Sequence, residues 1–373
     1  MTTDTVTHDQ QPVLNLTLSQ LLGDRDLVAL VVRQPLRPVA GHGTAVFPAS
    51  YAAEKSGEPG RYCISPVGTG NLCVIDSVQS QAGRIEAQLQ TPSYRALTRT
   101  VAVRIATKEG ERVVDVLAAA HRIYDAVFRF STLADEITRA TQAHVRGDAR
   151  ALAELSPLSL VCGAWDSRGT KHQIARAFSS EIVALDVSEL SRGAQYTASV
   201  RASEIDGMDA SGSVDGLDHV PSFGRGGVIA RAIERRSVLS LTTLRRNARM
   251  AAAGEPDAVT AYLGALALVV LTMPVAPDLR SGCMVLPDGV AAVRAQRADG
   301  TEAELVLTHA QALAWATEAA AALGVPTLPA QLADFEPARA KGGEAADGKP
   351  SKGGAKAKPK GKADAAATPE SAA

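Results

Sequence analysis

Apolar positions along this chain alternate between two periods, one of strands and one of helices. Leu27 to Val32 is a continuous apolar run of the kind a buried strand shows, and a Pro- and Gly-rich loop follows it (Pro35, Pro38, Gly41, Gly43, Pro48). Leu72 to Ile75 predicts a second short strand. Asp76-Ser77-Val78-Gln79 then has the form of a helix start, an acceptor at the cap and Gln three residues on. In that helix Val78, Ala82, Ile85 and Leu89 fall on one stripe, while Ser77, Gln81, Arg84 and Gln88 fall on another about a quarter turn away. Thr100 to Ala106 alternates as a strand does. The spacing of Val113, Leu117, Ala120, Tyr124 and Val127 predicts a helix over 113–128, with further helices at 133–144 and 148–155.

The second half continues the mixture. Leu158 to Cys162 and Ile182 to Val187 read as strands around a polar loop, and Ile205 to Gly227 reads as a long loop insertion rich in Gly, Asp and Ser. Val238 to Leu241 predicts a strand, followed by helices near 244–252 and 257–273. Strands at Met284–Leu286, Val290–Arg294 and Leu305–Leu307 and a helix at 309–323 close the body. The apolar stretch Ala261 to Met273 would span roughly 20 Å as a helix against a hydrocarbon layer of about 30 Å, so it predicts a buried helix and not a membrane span. Strands and helices interleave without repeats and without the regular period of a doubly wound sheet. An antiparallel α+β sheet with irregular insertions fits best.

Composition sharpens this in three places. Hydrophobic content is 46% and aromatic content 4%, so Leu, Val and Ala must build the interior. Residues 1–11 are polar, and residues 341–373 contain no Leu, Ile, Val or aromatic side chain, so both ends are expected to be disordered around a single body at 12–340. Net charge is −1, divided into +3 on the Lys-rich tail and −4 on the body, which holds all the Arg. That balance argues against a general nucleic-acid binder, so any polyanion contact must come from local clusters. The four cysteines (Cys63, Cys73, Cys162, Cys283) show neither Cys-x-x-Cys spacing nor clustered His, which predicts no zinc site and no disulfide framework. The N-terminus lacks a basic stretch followed by an apolar one, so a cytoplasmic protein without a secretory signal is expected.

Two local clusters stand out. The loop after Cys162 carries Trp165, Arg168, Lys171 and Arg176: cations that can neutralise phosphate and a ring that can stack on a base or, equally, cap the core. Gly169 would let backbone approach a phosphate there. The second is Arg225, Arg231, Arg235, Arg236, Arg245, Arg246 and Arg249, opened by Phe223-Gly-Arg-Gly-Gly227, with Glu234 the only acid among them. Weaker candidates are Arg84 with Gln81 on one helix face, Arg33 and Arg37 around Pro35, and His42 between two glycines. His121 beside Arg122 lies off the predicted core stripe and reads as structural.

Several segments occur in a fixed order: Val31-Val-Arg-Gln-Pro-Leu-Arg-Pro38, Asp76-Ser-Val-Gln-Ser-Gln-Ala-Gly-Arg-Ile-Glu86, Ala120-His-Arg-Ile-Tyr-Asp125, Gly163-Ala-Trp-Asp-Ser-Arg-Gly169, Ser180-Glu-Ile-Val-Ala-Leu-Asp-Val187 and Gln195-Tyr-Thr197. Together, from about residue 14 to 325, they resemble the RAMP-superfamily backbone subunit of type I-G (formerly I-U) CRISPR surveillance complexes. The resemblance implies an RRM-like (ferredoxin-like) antiparallel palm with helical and loop insertions. It also implies copies stacked head to tail along a CRISPR RNA, holding its guide bases free to pair with target DNA. The partners implied are that RNA, a fused foot-binding and RNA-processing subunit and a large subunit, with no membrane. Such subunits bind without cutting, so no catalytic residue, metal or cofactor is expected. Phe223 to Gly227 resembles the Gly-rich loops such proteins set against RNA. The rivals are a metal-dependent ribonuclease using Asp166, as in related type III backbone subunits, a protein-only scaffold, and a small-molecule enzyme with a phosphate loop at Gly68-Thr69-Gly70. No Lys-Ser or Lys-Thr pair follows those glycines, which sets the last of these low.

Overall fold

The computed structural model describes residues 12–52, 60–196, 198–208, 220–249 and 255–342. The chain divides into two units, Met1–Phe335 and Glu336–Ala373. In the second, the described part is the short helix Pro337–Gly342, with Arg339 paired to Glu336 within it.

The first unit is built on a 10-stranded sheet. Leu27–Pro38 and Val220–Ser240 run antiparallel at its centre, with Leu36 opposite Ile233 and Leu30 opposite Leu239. Outward on one side lie Phe178–Tyr196, Gly70–Asp76 and Ile64–Val67, and on the other Ala292–Arg297 and Glu302–Leu305, all antiparallel. Only the two-residue strand Val13–Leu14 joins in parallel. This is the α+β, antiparallel palm that the sequence predicts.

Alternation decides which face is covered. Leu30, Val32 and Leu36 share one face with Leu239 and Ile233, all at most 5% exposed. The helix Ala258–Thr272, capped by Asp257 accepting the Thr260 N–H at 2.7 Å, is apolar nearly all round and buried in the same core cluster as Leu30 and Leu239. Its Tyr262 hydroxyl donates to the Leu97 carbonyl at 2.8 Å. No helix among the described residues is long and apolar enough to cross a membrane. The helix Val78–Leu89 buries Ala82, Ile85 and Leu89, as its stripe predicts. Its cap is Ser77, not Asp76; Asp76 ends the preceding strand, fully buried.

Four predicted elements differ. Pro35 and Pro38 lie inside a strand. Residues up to Arg33 pair with Ala292–Arg297 and residues from Leu36 onward with Cys283–Pro287, so Pro35 falls where the neighbour changes. There it only accepts, its carbonyl taking the Asp288 N–H at 2.9 Å. Over 113–128, Gly110–Asp115 is instead a strand hairpinned to Val101–Thr107. Arg122 at φ +54 then interrupts the helical phase, and a single helical turn forms at Ala126–Arg129. Leu158–Cys162 is not a strand; Pro157–Val161 is a helix with Pro at its first position, where the missing N–H costs nothing. The region read as a loop at 205–227 is strand from Val220, and residues 209–219 lie outside the described residues.

Beyond Val187 and Ala230 the two long strands continue as a ribbon that no third strand borders, apart from a bridge between Val46 and Val228. A Cβ at Gly226 would stand 2.7 Å from the Ser191 carbonyl oxygen, and one at Gly227 (φ +88) 2.6 Å from that of Val46. These two glycines answer close backbone packing at a bulge between Glu189 and Ser191.

Candidate nucleic-acid interface

After the Pro157–Val161 helix the chain turns at Gly163 (φ +80), where a Cβ would stand 3.0 Å from the backbone of Arg176. Only glycine fits this crossing. It launches a small hairpin, Ala164–Trp165 paired with Gln173–Ile174, whose tip is knotted by Asp166. The Asp166 carboxylate accepts from the Gly169 N–H at 2.8 Å, the Thr170 N–H at 2.5 Å and the Thr170 hydroxyl at 2.8 Å. Its own N–H donates to the His172 carbonyl at 2.9 Å. Burial alone would raise its pKa, but these donors outweigh burial and hold it below the usual carboxylate range. Gly169 is needed because a Cβ there would stand 2.6 Å from Asp166 Oδ2. Its absent side chain makes room for a carboxylate, where the sequence suggested a phosphate.

The hairpin is pinned at both ends by buried polar groups. At its entry Arg122, 7% exposed, donates from Nη1 to the Gly163 carbonyl at 2.9 Å and from Nε to Glu86 Oε1 at 2.6 Å. Desolvation pushes the Glu86 carboxyl up and Arg122 opposes that shift. At its exit His144 Nδ1 and His172 Nε2 are 2.9 Å apart, and His144 Nε2 donates to the Asn247 carbonyl at 2.8 Å. His172 is therefore the donor between the two rings. Burial pulls the His144 pKa down to about 4. The Asn247 amide donates to the carbonyls of Leu160 and Ala175, both at 2.8 Å. Cys162 beside this network is buried and its thiol pushed up to about 12, which leaves it inert.

Held in this way, Trp165 is 60% exposed and does not cap the core. It forms a wall shared by two clefts. One, of about 340 Å³, brings Trp165 and Arg168 together with Gln79, His121, Tyr124 and Arg129. The other, of about 250 Å³, is lined by Trp165 together with Arg176 and Gln173. Arg122 lines both. The Arg129 guanidinium sits 4.6 Å from the Phe130 ring centroid, and Arg176 is exposed with no ion pair or side-chain hydrogen bond among the described residues. Arg122, Arg129, Tyr124 and Gln79 escaped the sequence reading; the Ala120–Asp125 segment was the signal, obscured by the helix expected there. Lys171 points elsewhere, its Nζ on the Ser167 carbonyl at 2.6 Å beside a recess shared with Arg146 and His172.

Most of the second cluster is engaged within the chain. Arg245, 2% exposed, donates to the carbonyls of Leu22, Leu27, Leu21 and Asp24 at 2.6–3.1 Å, closing the end of the Leu18–Gly23 helix. Arg235, 5% exposed, donates to the Met273 carbonyl at 2.7 Å, and burial lowers its pKa to about 10. Arg225 is held by Glu189 and the Gly60 carbonyl, Arg231 by Asp186 at 2.6 Å and Arg236 by Glu234 at 2.5 Å. Of the seven, Arg249 is half-buried at φ +60 and Arg246 is exposed without such a partner among the described residues.

The remaining candidates are dispersed. Gln81 is buried, its amide donating to Asp76 at 2.7 Å, and Arg84 is drawn onto Asp76 at 3.0 Å, which also holds Arg280 at 2.7 Å. These residues clamp the helix to the strand Asp278–Arg280 and do not form a free polar face. Arg37 and His42 converge on Asp288 at 3.8 and 3.2 Å, and His42 lines a small cleft of about 110 Å³ with Arg231. Arg33 is exposed on the open sheet face, beside Arg294 and Glu302. Gly68-Thr69 is the two-residue turn of the hairpin Ile64–Asp76, and Gly70 is required because a Cβ there would stand 1.9 Å from Asp186 Oδ1. Among the described residues no cluster of His, Cys, Asp and Glu has the arrangement of a metal site.

Comparison with known proteins adds a similarity over part of the chain. Residues 30–189 match the model of the family described as CRISPR-associated protein GSU0053. No curated protein matches. A chain of a solved structure described as a CRISPR RNA-guided surveillance complex, pre-nicking, superposes with a TM-score of 0.36 at 12% identity, covering 72% of this chain and 79% of that one. The matched span contains the whole Trp165 hairpin and both of its clefts, and over that span this chain is similar to CRISPR-associated proteins.

Proposed function

We propose that this protein is an RNA-binding subunit of a CRISPR surveillance complex, a RAMP-type backbone subunit of the type I-G kind. It stacks head to tail along the guide RNA and leaves the guide bases free to pair with target DNA. It binds without cutting, beside a fused foot-binding and RNA-processing subunit and a large subunit. One observation carries the reading. Inside the span similar to CRISPR-associated proteins, an exposed indole on a small hairpin lines two clefts, one carrying Arg129 and Arg168 and the other Arg176. Such a wall suits a single strand. Bases of any identity can stack on the ring while guanidinium groups take phosphates, and specificity is left to base pairing. The Asp166 carboxylate is engaged by its own turn, which supports binding over the ribonuclease reading.

The test is anisotropy of a labelled single-stranded RNA against the full chain at fixed low salt. Binding with little sequence preference, and at least about 10-fold weaker in Trp165→Ala, is expected from the stacking contribution. Affinity no better than for an acidic control protein would overturn the reading.

A further inference from the structure

We infer that the floor of the Trp165 cleft is a nucleobase site, in which Arg122 donates to a neutral acceptor atom, a carbonyl oxygen or a ring nitrogen, of a base stacked on the indole. This rests on the RNA-binding reading and deepens it.

Three observations converge. Arg122 is 7% exposed yet lines both of the clefts at Trp165. Its Nε and Nη1 are committed to Glu86 and Gly163, while Nη2 makes no hydrogen bond among the described residues. It is also a long side chain held at φ +54, in the left-handed region that costs such residues energy and that surroundings must enforce. A charged donor fixed on two sides with its third nitrogen unused is preorganised for a ligand.

The charge balance decides which ligand atom. Glu86 already neutralises Arg122 at 2.6 Å, so a phosphate placed on the floor would bring an uncompensated negative charge into a poorly solvated spot. A base carbonyl brings none. Phosphates belong instead at the rim, where Arg168 and Arg176 are exposed, Arg129 is half-buried and Arg176 makes no ion pair among the described residues. Every standard base carries an acceptor on an edge, so the contact favours an unstacked nucleotide without selecting its sequence.

The experiment compares two RNA strands on the full-length wild-type chain: oligouridine, and the same strand with difluorobenzene bases, which stack as uracil does but accept hydrogen bonds poorly. We expect the second to bind about 10-fold more weakly, the scale of a hydrogen bond from a charged donor. The variant Arg122→Met with Glu86→Leu removes both buried charges together. It is expected to bind oligouridine about 10-fold more weakly, to lose the discrimination between strands, and to keep the wild-type salt slope. Equal wild-type affinity for the two strands would overturn the base contact. A salt slope reduced by about 0.7 in the double variant would place a phosphate on Arg122 and overturn it as well. Failure of the RNA-binding reading looks different: neither strand binds, or Trp165→Ala binds both as wild type does.

Discussion

The stretch 225–249 and the hairpin 163–176 both read as basic in sequence, but the fold uses their cations in opposite ways. In 225–249, Arg235 and Arg245 are internal and bonded to carbonyls, and Arg225, Arg231 and Arg236 are paired with carboxylates. Around the hairpin the carboxylates are withdrawn instead. Asp166 is held by its own turn and Glu86 by Arg122, while Arg129, Arg168 and Arg176 line the clefts at an exposed Trp165, and Arg176 makes no ion pair among the described residues. A polyanion responds to charge that internal pairing has not already satisfied, so a count of cations along the chain is a poor guide to which of the two regions would hold one.

The sharpest way to break this contrast is Arg245→Met. Four backbone carbonyls lose their donor, so the chain should lose about 3 kcal/mol or more of stability in denaturant titration. RNA affinity below the melting range should be unchanged; a selective loss of RNA binding with full stability would return Arg245 to the interface. Trp165→Ala should behave in the opposite manner. RNA affinity should fall by about 30-fold, the middle of the stacking range, with little change in melting because the ring is already 60% exposed.

A third test concerns the anchoring of the hairpin. His144 is neutral in the folded chain down to about pH 4, whereas in the unfolded chain it takes up a proton near its ordinary value. Between about pH 6.5 and 4 the unfolded state binds more protons, so stability should fall as the pH falls through that window. His144→Gln should flatten this part of the profile relative to wild type, and an unchanged slope would remove His144 as its source. The smallest effect belongs to Arg231→Ala. Its pair with Asp186 is exposed and screened by solvent, so the melting temperature should stay at the wild-type value and RNA affinity should change by less than about 3-fold.

What the sequence made legible was whatever rests on local periodicity. The helices at Ala134–Val145, Ala258–Thr272 and His309–Leu323 and the strands at Leu27, Gly70 and Val101 follow from their apolar spacing. Leu158–Cys162 failed because a short apolar run is equally good as strand or helix, and Pro157 settles it only once the fold is known. The site was half legible. Trp165, Arg168 and Arg176 share one short segment, while Gln79, His121 and Arg129 reach it through tertiary packing that no spacing encodes. Buried arginines were misjudged for the same reason: Arg245 finds its carbonyl partners more than two hundred residues away in sequence.

The salt dependence of RNA binding by two triple variants tests the contrast most directly. One neutralises Arg129, Arg168 and Arg176 to Gln, the other Arg225, Arg231 and Arg236. The slope of log affinity against log salt should shrink by about 2 in the first, three single-strand phosphate contacts at about 0.7 each, and stay at the wild-type value in the second. An equal or larger loss of slope in the second variant would contradict the assignment of the interface to the Trp165 hairpin.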